Sequence, residues 1–140
     1  MKIGLIGAGR LGLCLALLIE DTGYDVLASD IRPDYVKDLN EKKYNGSEPD
    51  VKYYLEKANN IEFTTDNIRV INECDIIFTL VATPSLDDGS YDVSAVWKVV
   101  EDFKIAAKEK EVFNKSLVVG CTTNPGDCDE IQDHLSVDPD

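Results

Sequence analysis

The sequence predicts an α/β fold, a mostly parallel sheet with helices on both faces, and three observations carry that prediction. A glycine run, Gly7-Ala8-Gly9-Arg10-Leu11-Gly12, sits directly behind the apolar stretch Ile3-Gly4-Leu5-Ile6. Short β-rich runs alternate along the chain with longer helical patterns, as a parallel sheet with crossover helices requires. Cys74-Asp75-Ile76-Ile77-Phe78-Thr79-Leu80-Val81 is nearly continuous apolar sequence, the signature of a central strand covered on both faces. Together they describe a doubly wound sheet of the Rossmann type.

Each element follows from its local pattern. Lys2 to Ile6 is the first strand, opening straight into the glycine turn, and Arg10 to Thr22 is the first helix. Leu11, Leu13, Cys14, Leu15, Ala16, Leu17, Leu18 and Ile19 leave that helix no polar face until Glu20 and Asp21. Such a helix wants covering all round, either by its sheet and neighbouring helices or by another domain or subunit. Asp25 to Ser29 is the second strand, and Pro33, suited to a first turn, starts a helix running to Glu41. A further helix spans Asp50 to Ala58, a strand Ile61 to Thr64, a helix Asn67 to Asn72 and the central strand Asp75 to Val81. Asp92 can cap a helix from Val93 to Lys110, and Ser116 to Gly120 is the last strand. His134, the single histidine, reads as a solvated helix residue rather than a catalytic base.

Length and charge narrow the functions available. With 140 residues the chain is one domain, 1–140, small for a complete two-substrate enzyme. A net charge of −13 argues against nucleic acid or an anionic membrane as partner, because their phosphates would be repelled. No apolar run approaches the roughly 18 residues of a membrane span, no signal peptide is evident, and the expected location is cytoplasmic. Cys14, Cys74, Cys121 and Cys128 lack the paired spacing of a zinc or redox centre, so no metal site is expected. Cys14 and Cys74 read as core residues, and Cys121 and Cys128 flank a glycine-containing loop with no nearby His or Lys to activate a thiol.

The glycine run has the chemistry of a dinucleotide site. Gly7 permits the sharp turn, Gly9 has no Cβ to block a pyrophosphate, and Gly12 lets the helix pack on the strand. The pyrophosphate then meets the free N–H groups and positive dipole end of the helix beginning near Arg10. Asp30, eighteen positions after Gly12, can accept hydrogen bonds from both hydroxyls of the adenosine ribose. Arg32, two residues on, opens NADP as a possibility, but the Asp30 carboxylate would repel a 2′-phosphate, so NAD is the expected cofactor. Ligands of such sheets bind beyond the carboxyl ends of the strands, where two further loops lie. Val81 to Ser90 carries Thr83 ahead of Pro84, and Gly120 to Gly126 carries Thr122 ahead of Pro125. A plain turn rich in Pro, Asp and Gly explains the first loop equally well; alternatively both threonines face one crevice.

In combination these residues resemble the nucleotide-binding domain of the UDP-glucose/GDP-mannose dehydrogenase family over essentially the whole chain. The counterparts are Gly7 to Gly12, Asp30 to Asn40 ending in Leu39-Asn40, Glu48-Pro49, Val81 to Pro84 with Asp88-Gly89, and Cys121 to Gly126. The resemblance implies oxidation of the C6 alcohol of a nucleotide sugar to a carboxylate, with two NAD reduced in succession. It implies that Leu11 offers its backbone to the pyrophosphate, Asp30 holds the ribose and Thr83 contacts the cofactor further along. Arg10 stands where the family usually has an aromatic residue and Tyr35 where it commonly has Lys or Arg, both on the cofactor side. Thr122 would sit near the nicotinamide and order the water or reacting oxygen at C6, a supporting role because a hydroxyl cannot be the main base. Cys121 replaces the usual Ser of that loop and Asn124 the first of its two prolines.

The family's catalytic cysteine, Lys and Asn belong to a later, sugar-binding domain, and the helix joining its two domains is also outside this chain. The expectation is therefore a domain that binds NAD without completing the reaction, its partner a missing C-terminal domain or second subunit. Two alternatives are a hydroxyacid-type NAD dehydrogenase domain and a stand-alone NAD-sensing module docking through its apolar first helix.

Overall fold

The structure, a computed structural model, describes residues 1–109 and 114–136. Five strands form one sheet: β1 (Lys2–Ile6), β2 (Asp25–Ser29), β3 (Ile61–Thr64), β4 (Ile76–Thr79) and β5 (Ser116–Val119). Six helices alternate with them: α1 (Arg10–Asp21), α2 (Pro33–Asn40), α3 (Val51–Lys57), α4 (Asn67–Glu73), α5 (Ser94–Glu109) and α6 (Asp127–Ser136). The order across the sheet is β3-β2-β1-β4-β5, with every pairing parallel. The predicted fold class is the one observed.

Alternation along the strands builds two cores. Ile3 and Leu5 of β1, with Val26 and Ala28 of β2, pack under Leu13, Ala16 and Leu17 of α1 and Val51 and Leu55 of α3. Ile6, Leu27 and Ile77 face the other way and meet Val70 and Ile71 of α4 and Val99, Phe103 and Ala106 of α5. Both faces of the central strands are therefore dry.

Helix α1 is covered on fewer sides than its composition demands. The sheet and α3 bury Leu13, Ala16 and Leu17, while Leu11 and Leu18 remain 67% and 51% exposed. Glu20, expected on the polar face, is only 8% exposed. Its Oε1 accepts the backbone N–H of Asn59 at 2.9 Å and of Asn60 at 3.0 Å, so the carboxylate satisfies two part-buried donors instead of meeting solvent.

Strand β4 is shorter than the apolar run Asp75 to Val81. Its neighbours limit it: β1 ends at Ile6, where the chain turns away, and the ladder closes with Leu80 N–H donating to Ile6 C=O at 2.8 Å. Asp92 caps α5 from one position further out than a standard cap, its Oδ1 accepting the Ser94 N–H at 2.9 Å. The expected helix end at Lys110 lies outside the described residues. Helix α6 was missing from the elements read off the sequence, although its first turn carries Asp127, Asp129 and Glu130, suited to a helix N-terminus. His134 on α6 is correspondingly less solvated than expected. Its Nε2 lies 2.9 Å from Glu101 Oε1 and its ring meets Trp97 edge-on, joining α6 to α5. Among the described residues no helix is long and apolar enough to cross a membrane.

Candidate functional site

Strand β1 lies between β2 and β4, which is where the chain reverses its direction of progress across the sheet and where a crevice opens at the carboxyl edge. The glycine run leaves β1 at this point. Gly7 has φ +100°, and a Cβ there would come within 2.7 Å of Leu80 O, so only glycine fits both the dihedral and the space. The N–H groups of Gly7 and Ala8 both donate to Ser29 C=O, at 2.9 and 2.8 Å, which ties the turn to the end of β2. A Cβ on Gly12 would stand 2.0 Å from Gly7 O, whereas one on Gly9 would meet nothing within 4 Å. The three glycines thus divide the labour: two close the turn on itself and one leaves open space.

That space fronts the N-terminus of α1. Gly9 is the N-cap with no side-chain cap, and no acidic residue lies in the first turn. The amides of Arg10, Leu11 and Gly12 have no acceptor within the helix, whose first internal bond runs from Leu13 N–H to Gly9 C=O at 2.8 Å. Outward amides, a positive dipole end and unfilled room at Gly9 fit a pyrophosphate. Arg10 itself is turned aside, its Nε donating to Glu48 Oε1 at 2.5 Å. Glu48-Pro49 thereby gains a physical role: it fastens the loop before α3 to the start of α1.

Beside the glycine turn, just past the end of β2, stands Asp30. Its side chain is 8% exposed, and both oxygens receive hydrogen bonds from Arg32. That bonding raises the Arg32 pKa above its ordinary value. The Arg32 guanidinium lies 4.0 Å from the centre of the Tyr35 ring. Tyr35 is anchored in turn, its hydroxyl donating to Ala8 C=O at 2.8 Å and its ring meeting Tyr44 edge-on. Burial, then the neighbouring Tyr44, push the Tyr35 phenol well above its usual range, keeping it a donor. Tyr35 thus braces the glycine turn from beneath the guanidinium. A chain of bonds that the sequence reading missed holds the end of β2: Ser29 Oγ donates to Asn67 Oδ1 at 2.7 Å, and Asn67 Nδ2 to Asp102 Oδ2 at 2.8 Å.

Thr83 is half-buried after β4, and Thr122 is exposed after β5. Their loops are ordered by their own bonds. Asp92 N–H donates to Pro84 C=O, Ser85 and Tyr91 form an antiparallel bridge, and Leu86 N–H donates to Ser90 C=O. Asn124 then clasps the two loops together, accepting Tyr91 N–H at 2.8 Å on Oδ1 and donating to Tyr91 C=O at 3.0 Å from Nδ2. Its side-chain amide thus pairs with both backbone groups of Tyr91. Asn124→Ala is expected to cost about 1–2 kcal/mol, seen as a lower urea midpoint, and to expose the Ser85–Tyr91 segment to proteolysis. An unchanged cleavage pattern would mean that the loops hold without the clasp.

Three of the four thiols are withdrawn from solvent and held toward the neutral form. Burial pushes Cys74 up to about 11 and raises Cys14 and Cys121 above the ordinary thiol range. Cys128 is exposed beside Thr123, with its sulfur 3.7 Å from the hydroxyl.

Comparison with known proteins agrees with this geometry. The model of the UDP-glucose/GDP-mannose dehydrogenase family, NAD binding domain, matches residues 1–138. UDP-glucose 6-dehydrogenase AglM of Haloferax volcanii is 31% identical over 129 residues, covering 88% of this chain and 30% of that protein. The GDP-mannose dehydrogenase of Pseudomonas aeruginosa, solved as a ternary complex, superposes with a TM-score of 0.87 at 25% identity, over 98% of this chain and 33% of that one. A glycerol-3-phosphate dehydrogenase of Chlamydia felis is 30% identical over 107 residues, 76% of this chain and 31% of that protein. The chain spans about a third of the length of the curated relatives it matches. With the family model matching nearly the whole of a chain that carries this glycine turn and buried acid, the chain belongs to the UDP-glucose/GDP-mannose dehydrogenase family and is its NAD-binding domain.

Proposed function

We propose that the chain holds NAD for a nucleotide-sugar 6-dehydrogenase, one that oxidises the C6 alcohol of a UDP- or GDP-sugar to the uronate with two NAD in succession. The observation that carries this reading is the open space at Gly9 in front of the free amides of α1. NAD, when bound, supplies the hydride acceptor. The amides of Arg10, Leu11 and Gly12 hold its pyrophosphate, Asp30 takes hydroxyls of the adenosine ribose, and Tyr35 shapes that end of the site. Thr83 contacts the cofactor further along. Thr122 orients the water or reacting oxygen at the sugar C6, and a neutral hydroxyl limits it to positioning.

The nucleophilic thiol and its partners would come from a sugar-binding domain on further sequence or on a second subunit. Relatives about three times as long support that assignment, as do the raised pKa values of Cys14, Cys74 and Cys121. The cytoplasm is the proposed compartment, because the four cysteines are free thiols and a reducing environment keeps them so. A second reading, a hydroxyacid-type dehydrogenase domain, draws on the stretch shared with glycerol-3-phosphate dehydrogenase. The family match through residue 138, which takes in Cys121 to Gly126, favours the sugar enzymes.

Calorimetric titration of the chain with NAD is expected to show binding, and Asp30→Ala to weaken it about tenfold. No heat at millimolar NAD would refute the cofactor assignment, and an unaltered affinity would remove Asp30 from the site. Joined to a family sugar-binding domain, the chain is expected to form NADH from a UDP- or GDP-sugar. Turnover of hydroxyacids alone would favour the second reading.

A further inference from the structure

The Asp30 carboxylate is already heavily engaged. Its Oδ1 accepts the Arg32 backbone N–H at 3.1 Å and Nε at 2.7 Å, and its Oδ2 accepts Nη2 at 2.9 Å. A carboxylate offers about four acceptor positions, so these three bonds leave room for about one more. The adenosine ribose of NAD brings two hydroxyl donors to that place, and one of them can be met only if Arg32 yields a bond. Arg32 has good reason not to yield. Its guanidinium carbon lies over the Tyr35 ring, 4.0 Å from the centroid, and that ring is fixed by its bond to Ala8 and by Tyr44. Its side chain is nonetheless 56% exposed, and of its five N–H donors only the two on Asp30 are engaged there. The remaining donors stay free to meet an anion at the same end of β2 as Asp30.

We propose that Arg32 determines the cofactor selectivity of this site: it blunts the grip of Asp30 on the ribose of NAD and offers a landing point for a 2′-phosphate, so that the chain accepts NADP alongside NAD. The proposal rests on the reading that Asp30 meets the adenosine ribose. The fork cancels much of the carboxylate charge that would otherwise repel the phosphate, and a guanidinium pairs with phosphate in the same planar geometry as it does with carboxylate. Tyr35 serves as the plate that keeps Arg32 in place.

The test is calorimetric titration of the chain with NAD and with NADP, comparing Arg32→Ala, Arg32→Gln and Asp30→Ala. Removing the guanidinium frees Asp30 for both ribose hydroxyls and deletes the phosphate partner. The ratio of NADP to NAD dissociation constants is therefore expected to rise about tenfold or more in both Arg32 variants. Asp30→Ala is expected to move the ratio the opposite way, to a net preference for NADP. A ratio unchanged from the parent chain in both Arg32 variants, with NAD binding still dependent on Asp30, overturns the role of Arg32 alone. NAD binding indifferent to Asp30 overturns the ribose assignment on which the proposal rests. Circular dichroism of each variant separates these outcomes from misfolding, which an exposed side chain such as Arg32 makes a small risk.

Discussion

Gly12→Ala is expected to destabilise the fold by about 3 kcal/mol or more, while Gly9→Ala, three residues away in the same turn, leaves stability within about 1 kcal/mol and weakens NAD binding at least about tenfold. The difference follows from what a single methyl group would meet. At Gly12 it would sit 2.0 Å from Gly7 O and 3.0 Å from Gly7 C, both backbone atoms with no side-chain freedom to retreat. Relief requires α1 to move off β1, which would open the contact of Leu13 and Leu17 with the sheet core. At Gly9 the methyl would enter open space, and φ −68° with ψ −162° suits any L-residue. The only folding cost is the poorer N-cap, about 0.5–1 kcal/mol. The same methyl would stand where the pyrophosphate must approach, so affinity for NAD should fall at least about tenfold. Urea unfolding and calorimetric titration of the two variants check this directly. A Gly9→Ala chain that still binds NAD like the parent would put the pyrophosphate elsewhere.

Glu20→Ala is the second large effect, about 3 kcal/mol of stability and roughly 10 °C in melting temperature. The carboxylate is the shared acceptor for the N–H groups of Asn59 and Asn60, in the turn that delivers the chain to β3. Without it two part-buried donors lose their partner, and the neighbouring bond from Val26 N–H to Asn60 C=O, which starts the β2–β3 pairing, loses its support. Glu20→Gln keeps an amide oxygen at the same place and is expected to cost less than about 1 kcal/mol. Equal losses in the two variants, read from thermal unfolding, would show that charge rather than the acceptor matters.

Glu20 also shows where a linear reading stops. Its position at the end of an apolar helix marks it as the polar face, since periodicity registers only neighbours three and four residues away. Its partners are 39 and 40 residues distant. Asn124 is a similar case: in the sequence it is one polar residue of a Pro-Gly loop, and only the approach of the β4 and β5 loops turns its amide into a clasp on Tyr91. Arg32 stood in the sequence as a possible phosphate contact two residues from Asp30, yet its posture on Tyr35 depends on a helix packing beside the glycine turn. Helix α6 was overlooked for a different reason. With Ile131 its one fully buried residue, it carries almost no apolar stripe to detect.

By itself, the sequence determined the fold class, the five strands and the place of the dinucleotide turn. These are set by local chemistry: glycine where the backbone needs a positive φ or a missing Cβ, apolar runs where a strand is covered on both faces, and acids or proline where a helix begins. Tertiary structure alone decided how the site is braced and charged, by joining Arg10 to Glu48, Arg32 to Tyr35, Ser29 to Asn67 and Asn124 to Tyr91. The physical reason is that a hydrogen bond or stacking contact depends on distances and angles of a few ångströms, and residues far apart in sequence acquire these only when the sheet and its helices have packed.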